Sequence, residues 1–173
     1  FNHVNDTNDG IDIESSNVIV EDCDIDADDD AVVFKTESDR SFPVTNVVVR
    51  NCRLASCCNA LKFGTGSYCD FRDIRVENCR FERPAGNFRF DWKRKYADRG
   101  ARDALVGLGG MALEVADGGR MENVVIRDIR VEGYIVPIFV RLERRHEAAD
   151  PRGSYLRNVL IENVKATVAD SYI

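Results

Sequence analysis

Three aspartates carry the chemistry this chain is equipped to do. Asp9 stands before Gly10-Ile11-Asp12-Ile13, and Asp29 and Asp30 stand before Ala31-Val32-Val33-Phe34. The two segments match position for position at a spacing of 21 residues, Gly10 to Ala31. A third, Asn59-Ala60-Leu61-Lys62-Phe63, follows 29 residues after the second. Stacked one above another, they would bring Asp9, Asp30 and Asn59 into one column, with Asp29 beside it. Equivalent residues of neighbouring strands lie about 4.8 Å apart. Carboxylates that close repel one another, so at least one should keep its proton to a higher pH than usual. A protonated acid beside an ionised base is what cleavage of a glycosidic bond requires. Two blander readings of the run Asp26 to Asp30 compete with this one: a solvated acidic turn, or a calcium site.

The elements that must position these residues recur along the chain. One pattern reads NVIVEDCDI from Asn17, NVVVRNCRL from Asn46, DIRVENCRF from Asp73, NVVIRDIRV from Asn123 and NVLIENVKA from Asn158. The third copy reads as if it began one residue late. A second series alternates with the first: DGIDI from Asp9, DAVVFK from Asp30, NALKFG from Asn59, MALEV from Met111 and PIFVRL from Pro137. The segments are short, β-branched or aromatic, and alternate with period two, placing Val18 with Val20, and Val47 with Val49, on one face. Strands without helices between them predict a solenoid, in which each turn buries its core against the next. The fold class expected is therefore all-β: a right-handed parallel β-helix of about five to six turns over residues 1–173. The residue before the cysteine position is Asp22, Asn51, Asn78, Asp128 or Asn163, and these types tolerate the left-handed backbone of a tight corner. Cys23, Cys52 and Cys79 interchange with Ile129 and Val164 at one repeat position, which predicts a ladder of buried free thiols. Cys57-Cys58 lacks the spacing of a zinc site.

Composition narrows the function. A net charge of −6 argues against nucleic acid as the main partner. No apolar run is long enough to span a membrane as a helix. His3 and His146 match no motif and read as surface residues.

Asn8-Asp9-Gly10-Ile11-Asp12-Ile13, followed by Asp29-Asp30-Ala31-Val32-Val33-Phe34, resembles the polygalacturonases, glycoside hydrolase family 28, with their N-T-D-G and G-D-D motifs. The resemblance runs through essentially the whole chain as repeats, and its specific part is those two motifs and their spacing. It implies an inverting hydrolase of acidic plant polysaccharide, secreted or periplasmic, monomeric in its full-length form, with no cofactor and no metal. By the same resemblance Asp29 is the general acid, and Asp9 with Asp30 holds and activates the water. Two family motifs are altered. The G-H-G position falls on Cys58-Asn59-Ala60, and the R-I-K position falls near Ala112-Leu113-Glu114. Lys62, Lys35 and Arg141 are expected to supply the missing cations toward the polysaccharide substrate, alongside Asn59, with Glu114 paired to Lys62. The resemblance also implies several turns before Asp9, so the chain is expected to be incomplete as a solenoid and to expose apolar core at its N-terminal end.

An insertion, 86–110, interrupts the repeats and interleaves aromatics with cations, from Asn87-Phe88-Arg89-Phe90 through Trp92-Lys93-Arg94. It reads either as a cleft wall in which Trp92 stacks on sugars, or as a loop covering an open flank. Two other functions stay open at this point. One is a calcium-dependent polysaccharide lyase with Lys35, Lys62 or Arg141 as base. The other is a β-helix that binds carbohydrate without cleaving it.

Overall fold

The computed structural model describes residues 8–37, 42–83, 107–145 and 153–168. His3, His146, Trp92 and most of the insertion lie outside them. The protein is all-β, a curled sheet in which every strand pairing is parallel, and no helix occurs among the described residues.

Among the described residues eleven strands form the sheet: β1 (Ile11–Ile13), β2 (Val18–Glu21), β3 (Asp24–Ala27), β4 (Val32–Thr36), β5 (Val44–Arg50), β6 (Arg53–Ser56), β7 (Asn59–Ser67), β8 (Phe71–Glu82), β9 (Gly107–Val115), β10 (Met121–Leu142) and β11 (Leu156–Val168). They pair in the order β1-β4-β7-β9-β10-β8-β5-β2, with β11 on β10 and β6 joining β3 to β8. The first row is the second segment series of the sequence, and its register is Ile11↔Val32↔Leu61↔Met111↔Ile138. The repeat pattern makes the other row, with Val47↔Ile74↔Val124↔Val159. The long strand β10 serves both rows. Its Met121–Glu132 part pairs with β8, and its Tyr134–Leu142 part pairs with β9. Gly133, at φ 80°, turns the chain between them. The strand β9 begins at Gly107, so the last residues assigned to the insertion belong to the sheet.

Asparagine and aspartate make the corners. The ten non-glycine residues with positive φ among those described form two ladders, five residues apart in each copy. One is the expected Asp22, Asn51, Asn78, Asp128 and Asn163. The other is Asn17, Asn46, Asp73, Asn123 and Asn158. Asp73 therefore holds the place of Asn46, and the third copy is not displaced after all. Each side-chain amide reaches the next rung: Asn46 Nδ2 donates to Asn17 Oδ1 at 2.8 Å, and Asn78 Nδ2 donates to Asn51 Oδ1 at 2.9 Å. These bonds offset the roughly 1–2 kcal/mol that left-handed backbone costs an L-residue.

The core fills the inside of the curl. Phe34 and Phe63 stack with ring centroids 4.4 Å apart, and Phe71 meets Phe63 edge-on at 5.6 Å. Each contributes about 1.5–3 kcal/mol by burial alone. At the far end of this row the inward column finishes on Ile138, Val140 and Leu142, which are exposed. Exposed apolar surface thus gathers on β10; at the β1 and β2 end Ile13 and Ile25 are buried, Ile11 and Val18 half-buried and Ile19 exposed.

Cys52 and Cys79 are buried, Cys23 is half-buried against the same core, and all are free thiols. Ile129 pairs with Cys79 in register and continues the column. Burial first, and the neighbouring thiol next, push Cys79 up to about 12. In the native protein, Cys52 and Cys79 should resist an aromatic disulfide reagent at pH 8, and Cys23 should react first of the three. Rapid modification of all three without denaturant would contradict this packing.

Candidate active site

The turns leading into β1, β4 and β7 bring the acidic residues together, and backbone bonds fix them there. Gly10 N donates to Asp30 O at 2.8 Å, Asp29 N to Asn8 O at 3.0 Å, and Ala31 N to Asn59 O at 2.9 Å. Asp9, Asp30 and Asn59 therefore stand in one column, as their spacing implied. Gly109 is the next member. A Cβ there would come within 2.4 Å of Asn59 Oδ1, so only glycine leaves space for the Asn59 amide.

Each carboxylate of the column is held from two sides. Asp9 accepts from Asp30 N at 3.1 Å and from Lys35 Nζ at 2.7 Å. Lys35 also pairs with Asp12 at 2.7 Å. Asp30 is buried and accepts from Asn59 Nδ2 at 2.7 Å and from Lys62 Nζ at 2.8 Å. Burial works against both lysine charges, yet the facing carboxylates prevail and hold each ammonium above its ordinary pKa. The third carboxyl is different. At Asp29, burial raises the pKa above 3.8, the charge of Asp30 adds to that, and a hydrogen bond with Cys58 and the more weakly felt charge of Lys62 work the other way. Asp9 is near enough to raise it further. One reluctantly ionised carboxyl thus lies beside two that lysines hold, an arrangement able to support acid–base chemistry.

The run Asp26 to Asp30 is not a solvated turn. Ile25 and Ala27 of β3 point into the core, and Asp28 and Asp30 are buried. Among the described residues, the one group of metal-ligand type is Asp29, Asp30 and Cys58, with one ligand atom of each within 4.8 Å of the others. A thiol and two carboxylates, one already holding Asn59 and Lys62, do not make the six to eight oxygens that calcium takes.

The remaining sequence candidates lie on the same side of the row. Glu114 pairs with Arg141 at 3.2 Å, not with Lys62. The register explains this: Arg141 lies opposite Glu114, whereas Lys62 lies opposite Ala112. Lys35 and Lys62 serve as partners of the site's own carboxylates, each with donors to spare for a ligand. Trp92 falls outside the described residues. Sequence reasoning missed four contributors: Asp12, which shares Lys35; Ser56, whose hydroxyl bonds Asp29 O and Cys58 N; Cys58 itself; and Phe139, exposed in the column of Lys62 and Ala112. Asp12 aligns with Val33, two residues before Lys35 and within a lysine's reach, and that offset was the available signal for the first. Comparison with family models, curated proteins and solved structures finds no match to this chain.

Proposed function

We propose that the chain is part of a right-handed parallel β-helix, related to the polygalacturonases, that hydrolyses glycosidic bonds in acidic plant polysaccharide of the polygalacturonan or rhamnogalacturonan type with inversion. One observation carries the reading: Asp29, raised by burial and by Asp30, beside the lysine-held Asp9 and Asp30. Support for the helix comes from the two rows of parallel strands, which share register over successive copies of the repeat, and from the paired Asn/Asp corner ladders.

In this reading the Asp29 carboxyl gives its proton to the leaving glycosidic oxygen. Asp9 and Asp30 orient a water and take its proton as it attacks the anomeric carbon from the opposite face. Inverting pairs leave roughly 6.5–9.5 Å between the carboxyls for that water. Asp29 and Asp30 each bring an oxygen within 4.8 Å of the other, so the wider gap this reading needs is the one between Asp29 and Asp9. Lys35 and Lys62 hold the carboxylates of the base side and present cationic charge to a uronate.

A lyase is the weaker alternative. It needs a basic residue poised to lose its proton, and both lysines have raised pKa values beneath carboxylates. Incubation with a panel of pectic polymers tests the choice. The expected result is new reducing ends without ultraviolet absorbance. Unsaturated, absorbing products would establish a lyase, and tight binding without product would establish a binding module.

A further inference from the structure

The Cys58 thiol sits inside the acidic site, and the mechanism above leaves it without a task. It is buried, and its sulfur lies within 4.8 Å of a carboxylate oxygen of both Asp29 and Asp30. Asn59 Nδ2 approaches the same sulfur at 3.3 Å while donating to Asp30 Oδ1 at 2.7 Å. The backbone leaves the residue little freedom. Cys58 N donates to Ser56 Oγ at 2.8 Å, and Gly109 N donates to Cys58 O at 2.9 Å. Ser56 is anchored in turn: its hydroxyl donates to Asp29 O, and its N–H donates to the hydroxyl of fully buried Tyr134 at 3.2 Å. The Tyr134 hydroxyl donates in turn to Glu82 O at 2.6 Å. The backbone of Cys58 is therefore held by a frame that also holds the Asp29 backbone, and its sulfur lies close to the Asp29 carboxyl.

We propose that Cys58 is the positioning residue of the proton donor: its S–H donates to the Asp29 carboxyl and its sulfur accepts from Asn59, holding Asp29 in one orientation against Asp30. The inference rests on the hydrolase reading in taking Asp29 as the acid. A nucleophilic role does not suit the thiol. Burial, and then the charges of Asp30 and Asp29, push its pKa far up, so it stays a protonated donor. As a donor it favours the ionised form of Asp29, opposing burial and Asp30, and so tempers how reluctant the acid becomes.

Carbon-13 NMR of carboxyl-labelled aspartate, with the Asp29 signal assigned by its loss in Asp29→Asn, follows the Asp29 titration directly in wild type, Cys58→Ala and Cys58→Ser. The alanine variant should move that titration upward by roughly half a unit, since a weak donor is lost. The alkaline limb of its hydrolysis profile should move with it, and kcat should fall several-fold with KM little changed. Serine keeps a donor of similar size and should restore both. Should the alanine variant not fold, Cys58→Val fills the space without a donor and takes its place. An Asp29 titration unmoved by loss of the thiol, or serine no better than alanine, overturns the proposal. If the titration moves as stated but wild type cleaves no polymer, the thiol–carboxyl bond stands and the hydrolase reading falls.

Discussion

Asp29→Asn is expected to cut polymer hydrolysis at least about 100-fold and, in the same molecule, to make the fold more stable at neutral pH. The first effect follows from removing the proton donor while keeping its shape; an amide still accepts from the Cys58 thiol. The second follows from linkage. Asp29 titrates above 3.8 in the folded protein because burial and Asp30 disfavour its charge. The folded state therefore binds the proton more tightly than the unfolded chain does. Stability associated with this group is full below the unfolded pKa and is lost as pH rises through the raised folded value. Asparagine has no charge to desolvate and escapes that loss. Initial rates of reducing-end release, with urea titrations of both proteins at pH 4 and pH 7, read the two effects together. A variant with wild-type rates, or one that loses as much stability between those pH values as wild type does, would remove Asp29 from the role of acid.

Lys62→Met should destabilise the fold by about 3–5 kcal/mol, because it strands a buried carboxylate. The Asp30 side chain is 3% exposed and that of Lys62 17%, so little water is available to take over. Compare Arg50 and Glu21, exposed to 47% and 45%, where breaking the pair should cost about 0–1 kcal/mol. The double variant Lys62→Met with Asp30→Asn should recover much of the loss, since no buried charge remains. Urea midpoints of the four proteins in the cycle measure the coupling. Additive losses would mean that the 2.8 Å contact between Lys62 and Asp30 carries no stability.

The column of Asp9, Asp30 and Asn59 could be read from spacing alone, because a residue at a fixed place in a stacked repeat has its neighbours one repeat away. The corner ladder of Asp22, Asn51 and Asn78 was legible for a chemical reason: few other side chains accept left-handed backbone. Its companion, Asn17 to Asn158, escaped notice because each member directly precedes a valine or isoleucine run and passes for a strand residue. Charge pairing was the least legible. A lysine side chain reaches across a rung and along a strand, so Lys62 meets Asp30 three residues before its own aligned neighbour, Val33. Glu114 was matched to the wrong cation for the related reason that Pro137–Leu142 lies in register above it. The burial of Asp28 and Asp30 was hidden by composition, since five residues with four aspartates look solvated until the inward turn of Ile25 and Ala27 is known.

Proton NMR of the first sugar released from a pectic polymer tests the central claim most directly. An acid at Asp29 acting across a water held by Asp9 and Asp30 predicts a fresh reducing end of inverted anomeric configuration that then mutarotates, and no signal of this kind from Asp29→Asn. A product of retained configuration, an unsaturated sugar, or release that survives Asp29→Asn would contradict it.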